Sequence, residues 1–408
     1  MKRRKFIQAA SLATAGMLLP VGCNSWVAQT ASSKSDRQRL VVILLRGGAD
    51  GLNIVIPHQD AEYYQARPTI AVPYPQEKNG AIDLDGWFGL HPQLQDLMPL
   101  WQQKKLAFVH NSGSPIAERS HFQAQDYLES GTPGVKNTPS GWMNRLLAEL
   151  PEAKLTQALN VGVTTPYILR GDMAIANLKP GIHSTAPIPT DRPQVHKAFS
   201  SLYSGTDALS KAYQDGSKAR EIILADLDQE MMSASRGAKN AQIFIDDATE
   251  VARLMVGNAK TQLAFMEVGG WDTHLNQNPT FDRLLPALGQ GLAALVKGLE
   301  PIFSDTVIVV MSEFGRTVKE NGNKGTDHGY GNVMWLLGGA IRGGKVYGEW
   351  QGLNPSVLNE NRDLPVNTDF REIIGTTLQQ HLSISQDSLS RIFPDYKSSH
   401  KIDFYGQQ

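Results

Sequence analysis

Cysteine is nearly absent from this sequence, and so is any excess of charge. The 408 residues include one cysteine, Cys23, so the chain cannot form an internal disulfide, and its mature form has no thiol to act as nucleophile or metal ligand. The 39 Lys and Arg residues balance 40 Asp and Glu residues, so overall charge does not favour binding to nucleic acid or to an anionic membrane surface. Any function that depends on charge must come from local clusters.

Long apolar runs are missing as well. The apolar run at residues 9–21 is too short for a membrane-spanning helix, which needs about 20 residues. It follows the pair Arg3-Arg4 and is rich in small residues, a pattern typical of a twin-arginine export signal. We therefore expect residues 1–23 to be recognised by the twin-arginine export machinery and the protein to reach the periplasm or cell envelope.

The end of this signal contains a candidate lipid attachment site. A lone cysteine that closes a signal, here Cys23, indicates lipidation, although Pro20 stands where leucine is usual; cleavage near Ala28 is the alternative. Residues 24–37 are small and polar and predict a flexible tether. Residues 38–408 are expected to form one large domain that contacts a membrane only through such an anchor.

The order of apolar patterns indicates the fold class. A short continuous apolar run, typical of a strand buried on both faces, occurs at residues 40–45, and further strands are predicted at residues 106–109, 158–163, 263–268, 307–311 and 333–337. Apolar residues recur at helical spacing in residues 91–103, 123–129, 219–258, 281–299 and 369–381. This order predicts an α/β fold with a largely parallel central sheet and helices on both faces. The stretches 59–90 and 131–215 are otherwise expected to be irregular.

Residues 307–332 contain several side chains that can bind metal or act as acids and bases. There an apolar strand pattern ends in a short segment that contains Glu313, Arg316, Asp327 and His328. The polar residues 318–325 predict a loop that lets the two halves of the segment fold back toward one another. Ligands of open α/β sheets bind outside the carboxyl ends of the strands, so we expect a functional site here.

Further candidate groups follow other strands. Asp50 comes after the first strand, while Asp272 and His274 come after the strand at residues 263–268. Carboxylates and imidazoles at one sheet edge suit a divalent metal such as zinc, manganese, magnesium or calcium. Ser120 begins the helix predicted after the second strand, where it is either an N-cap or a hydroxyl nucleophile.

Several of these segments resemble a known family. The runs GGADGLN, RSHFQAQDYLESG, GGWDTH, SEFGRT and TDHGYGN, in this order over residues 47–332, resemble the exported bacterial "domain of unknown function 1501" family. The resemblance implies the fold of the alkaline phosphatase and sulfatase superfamily, in which strand ends supply metal-binding Asp and His residues. It also implies a nucleophile at Ser120 and metal ligands at Asp50, Asp272, His274 and His328.

One dipeptide departs from the superfamily pattern. Many relatives have Asp-His at a second metal site where this chain has Glu313-Phe314, and Phe314 cannot bind metal. That site could be completed by Asp327 or His121, hold a harder ion with oxygen ligands alone, or be empty.

The sulfatase branch fits less well than the phosphatase branch. Sulfatases oxidise a Cys or Ser four residues before an arginine, and Pro115 stands four residues before Arg119. Ser120 would then act as an ordinary alkoxide. Arg316 and Arg119 are candidate clamps for phosphate or sulfate, because guanidinium matches such oxygens in a bidentate way, and an ordinary ion pair is the alternative.

These observations lead to a main hypothesis and two alternatives. We expect an exported metal-dependent hydrolase or transferase acting on phosphate or sulfate esters of a small molecule or glycan. A degenerate relative that binds a glycan or membrane-associated partner without turnover is one alternative, and a structural scaffold is the other. The main hypothesis predicts one pocket shared by Asp50, Asp272, His274, Glu313 and His328.

Overall fold

A computed structural model describes residues 37–151, 157–162, 164–178, 193–218, 243–398 and 402–405. The expected export signal, Cys23 and nearly all of the expected tether lie outside these residues, as do residues 219–242 of an expected helix. Within the described ranges, no helix is both long enough and apolar enough to cross a membrane.

The strands form a large sheet and a small one. In chain order they are β1 (Arg39–Leu45), β2 (Val55–Ile56), β3 (Ile82–Asp83), β4 (Gly89–Leu90), β5 (Leu106–Gly113), β6 (Ala158–Val161), β7 (Ala176–Leu178), β8 (Leu263–Val268), β9 (Thr306–Ser312), β10 (Asn332–Gly338), β11 (Lys345–Tyr347) and β12 (Thr368–Asp369). The large sheet has nine strands in the order β11-β5-β10-β9-β1-β8-β6-β7, with β12 also paired to β5. The small sheet has the order β2-β4-β3.

The large sheet is mostly parallel, as predicted. Its pairings are parallel except for the two made by β10, which runs antiparallel to both β5 and β9. A loop without a crossover helix joins β9 to β10, and such a connection requires antiparallel strands. The start of β10 therefore lies at the same edge as the carboxyl ends of β1, β8 and β9.

Helices surround the sheet. The α-helices with defined bounds are α1 (Gly51–Ile54), α2 (Ala61–Ala66), α3 (Met98–Gln102), α4 (His121–Ser130), α5 (Trp142–Glu149), α6 (Pro193–Leu202), α7 (Ile243–Gly257), α8 (Gln277–Gly298), α9 (Phe370–Gln380) and α10 (Gln386–Ile392). Short 3₁₀ helices occupy Pro92–Leu97, Tyr167–Leu169, Glu300–Asp305 and Pro355–Val357.

Two apolar layers hold this arrangement together, one on each face of the sheet. Along β1, Val41 and Ile43 point into a layer shared with α7 and α8, and the alternate residues Leu40 and Val42 point into a layer shared with α5, α9 and α10. Every residue of β1 is buried, which explains its continuous apolar sequence. Helices on both faces confirm the predicted α/β class.

Two stretches are more regular than the sequence suggested. Residues 131–215 contain α5, whose Trp142, Met143, Leu146 and Leu147 recur at helical spacing and are buried. Residues 59–90 contain α2 and strands of the small sheet. The many prolines and polar residues of both stretches obscured these short elements.

Candidate metal centre

The segment after β9 returns on itself, as the sequence predicted. The Gly315 N–H donates to the Tyr330 carbonyl at 2.9 Å, and the Gly329 N–H donates to the Gly315 carbonyl at 2.8 Å. A Cβ on Gly315 would collide with the Gly331 carbonyl, so only glycine permits this close approach. The result is a narrow two-stranded ribbon that places His328 beside the end of β9.

The loop after β8 presents its side chains alternately to the core and to this ribbon. Trp271 and Thr273 are buried, and the Thr273 hydroxyl donates to Gln277 at 2.9 Å. Asp272 and His274, the alternate residues, are at least partly exposed at the carboxyl edge of the sheet. The buried pair anchors the loop, and the other pair supplies groups to the site.

Three imidazoles converge on one carboxylate oxygen. Asp272 Oδ1 lies 3.1 Å from His274 Nε2, 3.2 Å from His328 Nε2 and 3.4 Å from His121 Nε2. The Nε2 atoms of His274 and His328 are 2.9 Å apart. The ligand atoms of His121, Asp272 and His328 all lie within 4.8 Å of one another. We call these three histidines and Asp272 the histidine centre.

The other ring nitrogen of each histidine, Nδ1, makes a contact outside the centre. His121 Nδ1 lies 2.8 Å from Glu313 Oε1, and His274 Nδ1 lies 3.0 Å from Asp327 Oδ1. His328 Nδ1 donates to the backbone carbonyl of Arg119 at 2.8 Å. Such outer contacts are the usual means of fixing the orientation and tautomer of metal-binding histidines.

The surroundings of these outer carboxyl groups favour their ionised form. Burial raises the pKa of Glu313, but hydrogen bonds from His121 and Gln125 outweigh it and hold the pKa below the ordinary value. A hydrogen bond from Asn321 lowers the pKa of Asp327. An ionised carboxylate can only accept, so the facing Nδ1 atoms are donors, and the hydrogen bond with Glu313 raises the pKa of His121.

The carboxyl group at the centre is ionised as well. Burial raises the pKa of Asp272, but the hydrogen bond and charge of Arg316 bring it down to about 2. Arg316 donates to Asp272 Oδ1 at 2.6 Å, whereas the buried Nε2 of His121 makes no hydrogen bond within the described ranges. Ligands about 2.1 Å from a tetrahedral ion lie about 3.4 Å apart, close to the separations found around Asp272. The residues present thus fit a divalent metal.

The side chain of Phe314 packs against the histidine centre and supplies no metal ligand. Its buried ring lies 4.8 Å from the ring of His121 and 4.9 Å from that of His328, measured between centroids. A Cβ on Gly48 would touch the same ring. The aromatic side chain thus occupies space beside two of the histidines, and among the described residues one group of three or more potential ligands is found.

The structure does not bring Asp50 into the histidine centre. Its carboxylate is buried, and Arg67 Nη1 donates to it at 2.6 Å. Gln277 Nε2 donates to the same oxygen at 2.7 Å, and the Leu52 N–H donates to the other at 3.2 Å. Asp50 therefore begins α1 and neutralises a buried arginine, and its oxygens are already bonded.

Glu313 and Asp327, also expected as ligands, lie behind the histidines. Glu313 Oε1 is fully buried against donors from His121, Gln125 and the Gly47 backbone, each at 2.8 Å. Asp327 accepts from His274 and from Asn321, both at 3.0 Å. Glu313 and Asp327 each contact the histidine centre through an imidazole ring and do not belong to it. His121, whose Nε2 faces Asp272, belongs to the centre.

Arg316 is fully engaged and cannot bind an anion, whereas Arg119 pairs with carboxylates through Nη2 and its Nε makes no hydrogen bond to a described residue. The Arg316 guanidinium is buried and donates to the backbone carbonyls of Gly47, Gly48, Trp271 and Thr326 as well as to Asp272. It therefore ties together the loops that carry the site. Arg119 donates to Glu360 at 2.7 Å and to the buried Asp363 at 2.8 Å, which corresponds to the ion-pair alternative.

Ser120 lies between two contacts of the histidine centre. The carbonyl of Arg119, one residue before it, accepts from His328, and the ring of His121, one residue after it, belongs to the centre. Ser120 holds the N-cap position of α4, yet its side chain makes no capping hydrogen bond. Its half-buried hydroxyl is therefore not used by the helix.

Cavity size alone does not locate this site. A cavity of about 1040 Å³ lies along β11, lined by Lys104, Arg342, Tyr347 and Asn367 among others. None of its lining residues belongs to the histidine centre. The convergent ligands, and not this cavity, mark the place where chemistry is supported.

The fold and the site together define an α/β protein with a candidate metal centre at the carboxyl edge of a mostly parallel sheet. The sequence profile described as "Protein of unknown function (DUF1501)" matches residues 37–393, and the chain belongs to this family. A comparison with curated protein sequences found no significant match.

Solved structures with similarity to this chain include phosphatase and sulfatase proteins. The PsFucS1 sulfatase from Pseudoalteromonas sp. has a TM-score of 0.37 and 12% identity, covering 85% of this chain and 68% of that one. Alkaline phosphatase from the Antarctic bacterium TAB5 has a TM-score of 0.34 and 9% identity, covering 76% and 95%. The zinc complex of the C-terminal periplasmic domain of EcEptC from Escherichia coli has a TM-score of 0.34 and 11% identity, covering 75% and 74%.

Proposed function

We propose that this protein is a metal-dependent hydrolase or transferase of phosphate or sulfate esters. The observation that carries the proposal is the convergence of three imidazole Nε2 atoms on Asp272 Oδ1, with each Nδ1 held by an acceptor. Arg316 already donates to Asp272, and a divalent cation would give the neutral imidazole nitrogens a further partner.

The donor set favours zinc or manganese. His121, His274 and His328 offer nitrogen, and Asp272 offers oxygen, whereas magnesium and calcium prefer oxygen ligands throughout. A bound divalent ion supplies Lewis acidity, which withdraws charge from an ester and lowers the pKa of a nearby hydroxyl or water. The protein supplies the fixed orientation of the rings.

Ser120 is our candidate nucleophile. Its hydroxyl is free of the capping role and stands between two residues that touch the centre. In the proposed reaction its Oγ forms a bond to phosphorus or sulfur, the ester oxygen leaves with the bonding electrons, and water or an acceptor alcohol then releases the group. The N-terminus of α4 would also favour an anion at this position.

The site of action is part of the same proposal. The Arg3-Arg4 pattern and Cys23 favour export by the twin-arginine route and a lipid anchor in the cell envelope. The substrate would then be an ester of a small molecule or glycan outside the cytoplasm.

Metal content and turnover test the proposal together. The full chain is stripped with a chelator, reloaded separately with zinc, manganese, magnesium or calcium, and analysed for bound metal and for turnover of para-nitrophenyl esters. We expect zinc or manganese to bind with the highest affinity and His328→Ala to abolish binding. Ser120→Ala should retain the metal and lose turnover by on the order of a thousandfold or more.

Ser385→Ala is the matched control, because Ser385 is an N-cap in α10 outside the centre. It should bind metal and turn over esters like the wild type. Metal binding without turnover that depends on Ser120 would instead favour a binding protein that has lost catalysis. Absence of both metal binding and turnover would contradict the proposal.

A further inference from the structure

A tight turn at residues 359–363 lies against the ribbon that follows β9. The Asn359 N–H donates to the Asp363 carbonyl at 2.9 Å, and the Asp363 N–H donates to the Asn359 carbonyl at 3.0 Å. Two residues at the tip of the turn, Glu360 and Asn361, have positive φ angles of 53° and 55°. Such angles cost energy for residues other than glycine and persist where the surrounding structure holds them, which is often at a functional site.

Backbone pairing joins this turn to the part of the ribbon that carries His328. Arg316 pairs with His328 in antiparallel fashion, and the next residue, Thr317, pairs with Asp363 in the same way. The turn is therefore a third segment beside the two segments of the ribbon. A displacement of Asp363 would reach the segment that lies opposite His328.

Asp363 is a buried acid that contacts two arginines. Its side chain is 0% exposed; Arg119 Nη2 donates to Oδ2 at 2.8 Å, and Arg362 Nε lies 3.6 Å from Oδ1. Glu360 accepts from the same Arg119 nitrogen at 2.7 Å, but its side chain is 59% exposed, so water weakens that pair. Breaking a buried pair is far more costly, because it leaves a charge without a partner away from water. We therefore expect Asp363, and not Glu360, to fix the position of Arg119.

Both arginines connect Asp363 to His328. The carbonyl of Arg119 accepts from His328 Nδ1 at 2.8 Å, and Arg362 Nη2 donates to the carbonyl of His328. The first contact sets the direction of the imidazole ring, and the second holds the backbone that carries it. The other two histidines of the centre contact carboxylate side chains through Nδ1. The ring of His328 depends instead on where the backbone of a neighbouring segment lies.

We propose that Asp363 is a positioning residue, which holds His328 in the orientation needed to bind metal without touching the metal itself. Its carboxyl group fixes Arg119 and Arg362, and these two residues fix the ring and the backbone of His328. This proposal deepens the proposed function and rests on it, because it concerns the same candidate metal centre. A purely structural Asp363 would stabilise the fold and have no effect on His328.

Hydrogen exchange of the His328 ring N–H tests the orientation in the metal-free full chain, without metal binding or turnover. The proton signal is identified by nuclear magnetic resonance as the one that is lost in His328→Ala. In the wild type, the hydrogen bond to the Arg119 carbonyl should slow exchange with water. In Asp363→Asn we expect exchange to be at least about tenfold faster. Equal exchange rates in the two proteins would overturn the proposal.

Zinc affinity, measured by competition with a chelator, gives a second readout with a matched control on the same guanidinium. Asp363→Asn removes the buried acid and should lower zinc affinity by about tenfold. Glu360→Gln removes the exposed acid and should leave zinc affinity unchanged. Urea unfolding of both variants accompanies the measurement, because Asp363→Asn also breaks a buried pair and should lower stability. Lower stability of Asp363→Asn with wild-type zinc affinity would show a structural role alone and overturn the proposal.

Arg362→Met provides the corresponding test if Asp363→Asn does not fold. It removes the donor to the His328 carbonyl and leaves the pair between Asp363 and Arg119 in place, and the Arg362 side chain is already 38% exposed. We expect a several-fold loss of zinc affinity, and an unchanged affinity would contradict the proposal.

The outcomes separate this proposal from the proposed function. Zinc binding by the wild type that neither Asp363→Asn nor Arg362→Met weakens would defeat the role of Asp363 alone. Absence of zinc binding by the wild type would defeat the proposed function. Exchange of the His328 ring N–H would then still decide whether Asp363 orients that ring.

Discussion

Asp50 and Asp272 both follow strands of the same sheet, yet their carboxylates differ in exposure and in the groups that contact them. Asp50 is 1% exposed and paired with Arg67, which is fully buried, and its two oxygens accept from nitrogen donors. Asp272 is 47% exposed, and three histidine nitrogens approach one of its oxygens. Each acid pairs with a buried arginine, Arg67 for Asp50 and Arg316 for Asp272, but only Asp272 is also approached by three histidines.

The difference shows that an acid at a strand end is not by itself a ligand. What decides its role is the partner brought to it from elsewhere in the chain. Arg67 comes from a stretch between short elements, whereas the histidines come from the start of α4, the loop after β8 and the ribbon after β9. The following predictions test this contrast.

Loss of the buried arginine should have the largest effect. Arg67→Met leaves the Asp50 carboxylate buried without its ion pair, and we expect a loss of about 3–5 kcal/mol in the free energy of unfolding. Urea unfolding measures it. Arg391→Met breaks an exposed pair with Glu149 of the same 2.6 Å length and should cost far less. Equal losses in the two variants would remove the distinction between the buried and exposed pairs.

Removal of a carboxylate that contacts a histidine from outside the centre should have the second-largest effect, and that effect is on metal affinity. Asp327→Asn removes the charge behind His274, and we expect metal affinity to fall by about 10–100-fold while unfolding in the metal-free state changes little. Competition with a chelator of known affinity measures it. Glu360→Gln removes an acid that pairs with Arg119 outside the centre, and it should leave metal affinity unchanged. A normal affinity in Asp327→Asn would argue against a metal held by His274.

The smallest effect concerns two serines at helix N-caps. Ser385 Oγ accepts from the Ser388 N–H at 3.1 Å, and its replacement by alanine should cost about 1 kcal/mol of stability. Ser120 makes no such bond, so Ser120→Ala should change stability by only a few tenths of a kcal/mol. Thermal unfolding of the two variants in parallel makes the comparison. A loss in Ser120→Ala as large as that in Ser385→Ala would mean that Ser120 does cap α4.

The sequence predicts the central strands well, because burial on both faces produces the largely apolar sequences of β1 and β9. It also locates the edge where the site lies, since Asp272, His274 and His328 all follow predicted strands or the returning loop. It does not predict that Glu313 and Asp327 stand behind imidazoles. Which ring nitrogen faces inward depends on contacts between distant segments, such as His328 with the Arg119 carbonyl.

His121 illustrates the remaining gap. Its position beside Ser120 in a family motif was the only signal in the sequence, and it entered the predictions as one of several ways to complete a second metal site. In the structure its Nδ1 contacts Glu313 and its Nε2 is a buried atom without a hydrogen bond. Only the packing of α4 against the end of β9 reveals that role.

The antiparallel strand β10 makes the segment between β9 and β10 a loop that begins and ends at the same edge of the sheet. The chain leaves the sheet at Ser312 and re-enters it at Asn332 on the same edge, so everything between these residues is one excursion above the site. The tip of this excursion is tied to the site, because Asn321 donates to the His274 carbonyl and to Asp327. A change in the length of this loop would therefore reach the histidine centre even where the pairing of β9 with β10 is kept.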